Sequence, residues 1–95
     1  MALRITIREN ESEAEITLEG RLAGPWVVEL SKAWRETAPR LGSRKVSLDL
    51  RDVTYSDEAG KQVLREIVAQ TKAELVTSTP LTKYLAQEIS DSSTD

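Results

Sequence analysis

The 95-residue sequence contains no cysteine, no histidine and no phenylalanine. Without cysteine there is neither a disulfide scaffold nor thiol chemistry. Without histidine the imidazole general base and the commonest zinc ligand go as well. Aromatic side chains are reduced to two Trp and two Tyr, so a core has to be assembled from Val, Leu, Ile and Ala. No apolar run is long enough to span a bilayer. The opening Met1-Ala2-Leu3-Arg4-Ile5 enters a strand pattern directly, without the charged-then-apolar layout of a signal peptide. Basic stripes are missing too: the net charge is −3 with both signs interspersed, which suits neither a nucleic-acid surface nor an anionic membrane. These absences predict a cytoplasmic protein that inserts in no membrane, binds no nucleic acid and carries no cofactor or metal.

What is present is a chain of one-domain length with an apolar fraction of 39%, enough for a single small core. Leu3, Ile5 and Ile7 alternate with Arg4, Thr6 and Arg8, and Ala14, Ile16 and Leu18 alternate with Glu15, Thr17 and Glu19. Two half-buried strands joined by a polar turn predict an antiparallel hairpin. Gly20 to Pro25 breaks the pattern, and Pro25 suits the first turn of a helix. From Trp26 to about Ala38 the period becomes helical, with Val27, Leu30 and Trp34 on one stripe, until Pro39 and Gly42 end it. Val46, Leu48 and Leu50 give a third strand. A helix is expected from Glu58 to about Lys72, burying Ala59, Val63, Leu64, Ile67 and Val68. A weak strand follows at 73–77, and then a helix from Pro80 through Ile89 with Leu81, Leu85 and Ile89 on its inner face. The expected organisation is one α/β domain over residues 1–89, in the order β-β-α-β-α-β-α, with a polar, frayed tail at 90–95. Helical crossovers between strands imply a mixed sheet covered on one face.

The stretch from Lys45 to Gly60, KVSLDLRDVTYSDEAG, carries the functional signal. A strand with Leu48-Asp49-Leu50 runs through a short polar segment into a helix that begins on Asp57-Glu58. Ser56 or Asp57 can serve as N-cap, and Glu58 in the first turn is favoured by the helix dipole, so the acidic pair is comfortable on structural grounds alone. Gly60 is less so, because glycine inside a helix costs about 1 kcal/mol against alanine. Its usual reason is a close approach by another backbone or by a partner. Together these residues resemble the signature of the STAS domain, the sulfate-transporter and anti-sigma-factor-antagonist family. In that family a Leu-Asp-Leu strand leads through an Asp-Ser-Ser-Gly loop into a helix. The resemblance runs from Ile16 to Ile89 and includes the Gly20-x-Leu22 turn. It implies the STAS-like fold and a non-catalytic role in binding a protein partner through this loop and helix.

Carried across position by position, Asp57 matches the family's loop Asp, Glu58 its phosphorylatable Ser, Ala59 the second small residue and Gly60 the loop Gly. Glu58 therefore places a fixed charge at the phosphosite-equivalent position, where the family keeps a switchable one. Lys61 and Ala23 also depart from the pattern, an apolar residue being usual at the first and Asp at the second. The partner-binding residues implied are Ser56, Asp57, Glu58, Lys61, Gln62 and Arg65, with Lys61 and Arg65 expected on the exposed side of the helix. The partner implied is an anti-sigma factor or kinase-like protein. The alternative is the ATPase of a lipid-trafficking ABC transporter, whose STAS subunits carry an Asp-Thr-Ala-Gly loop similar to Asp57-Glu58-Ala59-Gly60. Self-association, and phosphorylation of Ser56 or Thr54 in place of position 58, are left open. A small carboxylate-dependent enzyme built on Asp49, Asp52, Asp57 and Glu58 is the remaining rival. It is disfavoured because Asp49 lies within a strand and the last two acids diverge on a helix start. Trp34 reads as core, and Trp26 as the edge of the core or a partner anchor.

Overall fold

The computed structural model describes residues 3–92. Strands β1 (Leu3–Glu9) and β2 (Glu13–Leu22) form the expected antiparallel hairpin, pairing Ile5 with Leu18 and Ile7 with Ile16. Helix α1 (Pro25–Leu41) leads to β3 (Lys45–Ser56), which runs parallel to β2. Helix α2 (Glu58–Thr71) leads to β4 (Glu74–Val76), parallel to β3, and α3 (Pro80–Ser92) follows. The sheet order is β1-β2-β3-β4. Two successive crossovers step in the same direction across the sheet, and the right-handed rule sends both helices to one face. That face carries Ala14, Ile16, Leu18, Leu22, Val46, Leu48, Leu50 and Val53, all buried. Leu30 and Trp34 from α1, Leu64 and Ile67 from α2, and Leu85 and Ile89 from α3 complete the cluster. The Trp34 indole N–H donates to Gln70 Oε1 at 3.2 Å, tying α1 to the end of α2.

Four elements, α1, β3, α2 and α3, differ from expectation in an end or in a buried face. Helix α1 runs through Pro39 to Leu41. Proline removes one hydrogen bond there, but the end of the helix is held by Arg44, whose guanidinium donates to the carbonyls of Arg40 and Leu41 and to that of Asn10. Strand β3 does not stop at Leu50. Its register against β2 shifts twice, so that twelve residues of β3 run beside ten of β2. The first shift lies between Asp49 and Asp52 and reverses the alternation there, which is why Leu50 and Val53, three apart, are both buried. Ala59 is exposed, leaving Gly60, Val63, Leu64 and Ile67 as the buried face of α2.

In α3 the inner face is Thr82, Leu85 and Ile89, while Leu81 is 51% exposed. Thr82 turns inward because it closes a reciprocal cap. Its Oγ1 accepts the N–H of Thr79, and Thr79 Oγ1 accepts the N–H of Thr82. The helix continues to Ser92, beyond the expected end at Ile89, and the remainder of the expected tail, 93–95, lies outside the described residues.

Candidate functional site

The loop between β3 and α2 lies at the end of the sheet where α1 also begins. Asp57 is the N-cap of α2, with extended backbone (φ −80°, ψ 178°). One carboxylate oxygen accepts the N–H of Gly60 at 2.8 Å, and the other accepts the N–H of Gly24 at 3.1 Å, at the N-cap of α1. Its own N–H donates to the carbonyl of Leu22. One carboxylate therefore pins two helix starts, where the dipoles of both favour negative charge. Ser56 is half-buried, and its hydroxyl donates to the Asp57 carbonyl at 3.1 Å. A Cβ on Gly60 would lie 2.6 Å from Ser56 Oγ, 2.8 Å from Leu22 Cγ and 2.9 Å from the Leu22 carbonyl oxygen. The close approach that glycine serves is therefore intramolecular: the backbone of β2 comes against the first turn of α2. Ser56 and Asp57 are held in this packing, while Thr54 is exposed on β3.

Glu58 points away from the packing, its side chain 73% exposed. Its carboxylate lies 3.9 Å from Lys61 Nζ and 3.4 Å from Arg65 Nη1. The two cations do not stand on the exposed side of α2. Each side chain is only 19% exposed, and Lys61 reaches toward α3. Lys61 donates to both oxygens of Glu88 on α3, at 3.0 and 3.3 Å. That hydrogen-bonded carboxylate holds the ammonium pKa above its ordinary value. Arg65 also donates to Gln62 Oε1 at 3.1 Å. Of the six residues expected to meet a partner, Glu58 and Gln62 are exposed and the other four are partly buried.

The opposite flank of α2 opens on a groove against α1 of about 720 Å³, lined by Val28, Lys32, Arg35, Ala59, Gln62 and Val63 among others. Val28 is 67% exposed there. Neither Val28 nor Ala59 was singled out from the sequence as surface, since both fall near apolar stripes. Trp26 is half-buried against the core.

Asp49 and Asp57, two of the carboxylates considered for a catalytic cluster, are each held by their own structural partners. Asp49 is 5% exposed and belongs to the first bulge of β3. It accepts the N–H of Arg51 at 3.0 Å and takes the Arg51 guanidinium on both oxygens. The Arg51 hydrogen bond holds the carboxyl below the usual range, against the upward push of burial. Asp57 is engaged by two backbone N–H groups. Among the described residues no group of three or more Asp and Glu is placed to hold a metal ion, and no helix is long and apolar enough to cross a membrane.

No family model matches the chain, and no curated protein matches it in sequence. Solved structures do match. The anti-sigma factor antagonist SpoIIAA in its unphosphorylated form aligns with a TM-score of 0.69 over 88% of this chain and 82% of that one, at 12% identity. An uncharacterized protein from Shewanella loihica with a SpoIIAA-like fold aligns at 0.62, over 95% of this chain and 77% of that one, at 9% identity. A structure of Mglu aligns at 0.61 over 79% of this chain but only 19% of its own length, at 19% identity. At such identities the likeness is one of fold. The chain has a SpoIIAA-like, STAS-like α/β fold, as the loop motif implied.

Proposed function

We propose that this SpoIIAA-like chain is a non-catalytic protein-interaction module of the bacterial cytoplasm, acting as a single domain. It binds a protein of the anti-sigma-factor or kinase-like class through the start of α2, constitutively, without a phosphorylation switch at position 58. The observation that carries this reading is the division of labour in the loop. Asp57, Ser56 and Gly60 are committed to internal packing, whereas Glu58 stands 73% exposed at the helix start with Gln62 exposed one turn on. A phosphoserine at position 58 would carry about −1.5 to −2 charge. Glu58 supplies about half of that permanently, next to the same Lys61 and Arg65. The α1–α2 groove beside it offers Val28 and Ala59 as apolar contact. In this reading the charged residues set specificity and encounter rate, and the apolar flank supplies the burial.

The test is affinity capture from the native cell with wild type, Glu58→Ser and Glu58→Ala as baits, followed by identification of the retained protein and titration of that protein against each bait. Affinities differing by about fivefold between wild type and the two variants are expected, about 1 kcal/mol, the upper scale of one solvent-exposed charge contact. Equal affinity for all three would remove the charge at position 58 from the interaction.

A further inference from the structure

The chain has two tyrosines and no phenylalanine, and neither tyrosine is in the core. Tyr55 is 44% exposed at the end of β3, and Tyr84 is 65% exposed on α3. Both line one groove between these elements, with Leu81, 51% exposed, beside them. Three of the four exposed large hydrophobic residues among the described residues thus meet in one place. Leu81 stands outward because its neighbour Thr82 takes the buried position and closes the cap with Thr79. Val53 and Leu85 form the apolar floor, and the Lys61–Glu88 ion pair closes one wall.

The groove's volume, about 190 Å³, falls below the roughly 300–1,000 Å³ of small-molecule sites and suits a single large apolar side chain. The Arg21 guanidinium lies over the Tyr55 ring, 4.4 Å from its centroid, with no carboxylate in ion-pair contact among the described residues. Lys61, by contrast, already has Glu88. Tyr and Arg are the residue types that dominate binding energy at interfaces, and here they are stacked, exposed and next to a pocket.

We infer that the Tyr55–Leu81–Tyr84 groove is a docking site for a protein segment that inserts one large apolar side chain and presents a carboxylate close by to Arg21. The inference rests on the reading of the chain as a protein-binding module, but it places this contact on the α3 flank of α2, away from the α1–α2 groove.

A random 12-residue peptide library displayed on phage is selected against the full chain, and the enriched peptides are synthesised and titrated against variants. The groove is tested by Leu81→Ser with Tyr84→Ser, and the charge by Arg21→Glu. Glu58→Ala with Gln62→Ala reports on the outward face of α2. All these side chains are exposed, so the thermal midpoints of the variants are expected to stay near that of wild type, and Arg21→Glu remains a test should the double groove variant unfold.

The expected peptides share a large apolar residue with Asp or Glu within four positions. They lose about tenfold or more in affinity on the groove variant and a comparable amount on Arg21→Glu, and they are indifferent to the α2 pair. Peptides that bind the groove variant as tightly as wild type, that lack the acidic residue, or that fail to enrich at all would overturn the inference. So would a wild-type dimer in sedimentation that Leu81→Ser with Tyr84→Ser converts to monomer, since the occupant would then be a second copy. Loss confined to the α2 pair would keep the proposed function and sink the groove. Loss confined to the groove variants is the expected result, and it leaves the outward face of α2 to the affinity-capture test of Glu58.

Discussion

Gly60 and Asp57 show how little of the candidate loop is free to serve a partner. Glycine at position 60 lets the Leu22 carbonyl and the Ser56 hydroxyl approach to distances a Cβ could not share. In most helices replacing glycine by alanine gains about 1 kcal/mol. Here the methyl group meets backbone, so Gly60→Ala is expected to destabilise the protein by a net of about 1–3 kcal/mol, read from the urea midpoint. A midpoint at or above that of wild type would show that β2 yields without cost. Glu58 is the counterexample at the same scale. Its side chain is mostly solvated, and its contacts with Lys61 and Arg65 are of the exposed kind that contribute about 0–1 kcal/mol. Its presence at a helix start was legible from the sequence. That its neighbour Asp57 pins two helices was not, because Gly24 lies 33 residues away in the chain.

Among the elements, β3 was read least completely. Alternation identified it from Val46 to Leu50 and then failed, since each bulge inserts one unpaired residue and reverses the in–out order. Asp49 secures the first bulge by accepting the Arg51 N–H that the ladder no longer uses, together with its guanidinium. The consequence is a pH-dependent stability of definite sign. The Asp49 carboxyl is held below its ordinary value of 3.8, so its contribution is fully present above about pH 4–5 and is lost as the pH falls through the folded-state value. Thermal midpoints of wild type and Asp49→Asn are expected to differ most near neutrality and to draw together as the pH falls below the ordinary value of 3.8. A gap unchanged from pH 7 to pH 3 would mean that the charge on Asp49 does not stabilise the bulge. Helix α3 has a similar history. Four-residue spacing puts Leu81 inward with Leu85 and Ile89, but the buried position one turn before Leu85 goes to Thr82, which closes the cap with Thr79.

For the whole molecule, three helices on one face of a four-stranded sheet share one apolar cluster. A domain of this length has on the order of 5–14 kcal/mol of stability. Leu64, with no exposed surface at the middle of α2, is expected to cost about 2–5 kcal/mol when replaced by alanine. A fall in thermal midpoint of at least about 8 °C should accompany it. A drop of only a degree or two would mean that α2 is not cooperative with the sheet. The same layout decides where partners can act. The helix-side ends of β2 and β3 bring the starts of α1 and α2 together, and the grooves on either flank of α2 follow from how α1 and α3 lean on it.

The element order, the hairpin, the crossovers and most of the core are legible in the sequence, because period-2 and period-3.6 patterns are local and survive in a single chain. So are the chemistry that is missing and the fixed charge at position 58. The extent of β3, the double duty of Asp57, the reason for Gly60, the half-buried state of Lys61 and Arg65, and the meeting of both tyrosines beside Leu81 emerge only in the folded chain. Each of these depends on contacts between residues far apart in sequence, or on a one-residue shift in phase. Local periodicity carries no information about either.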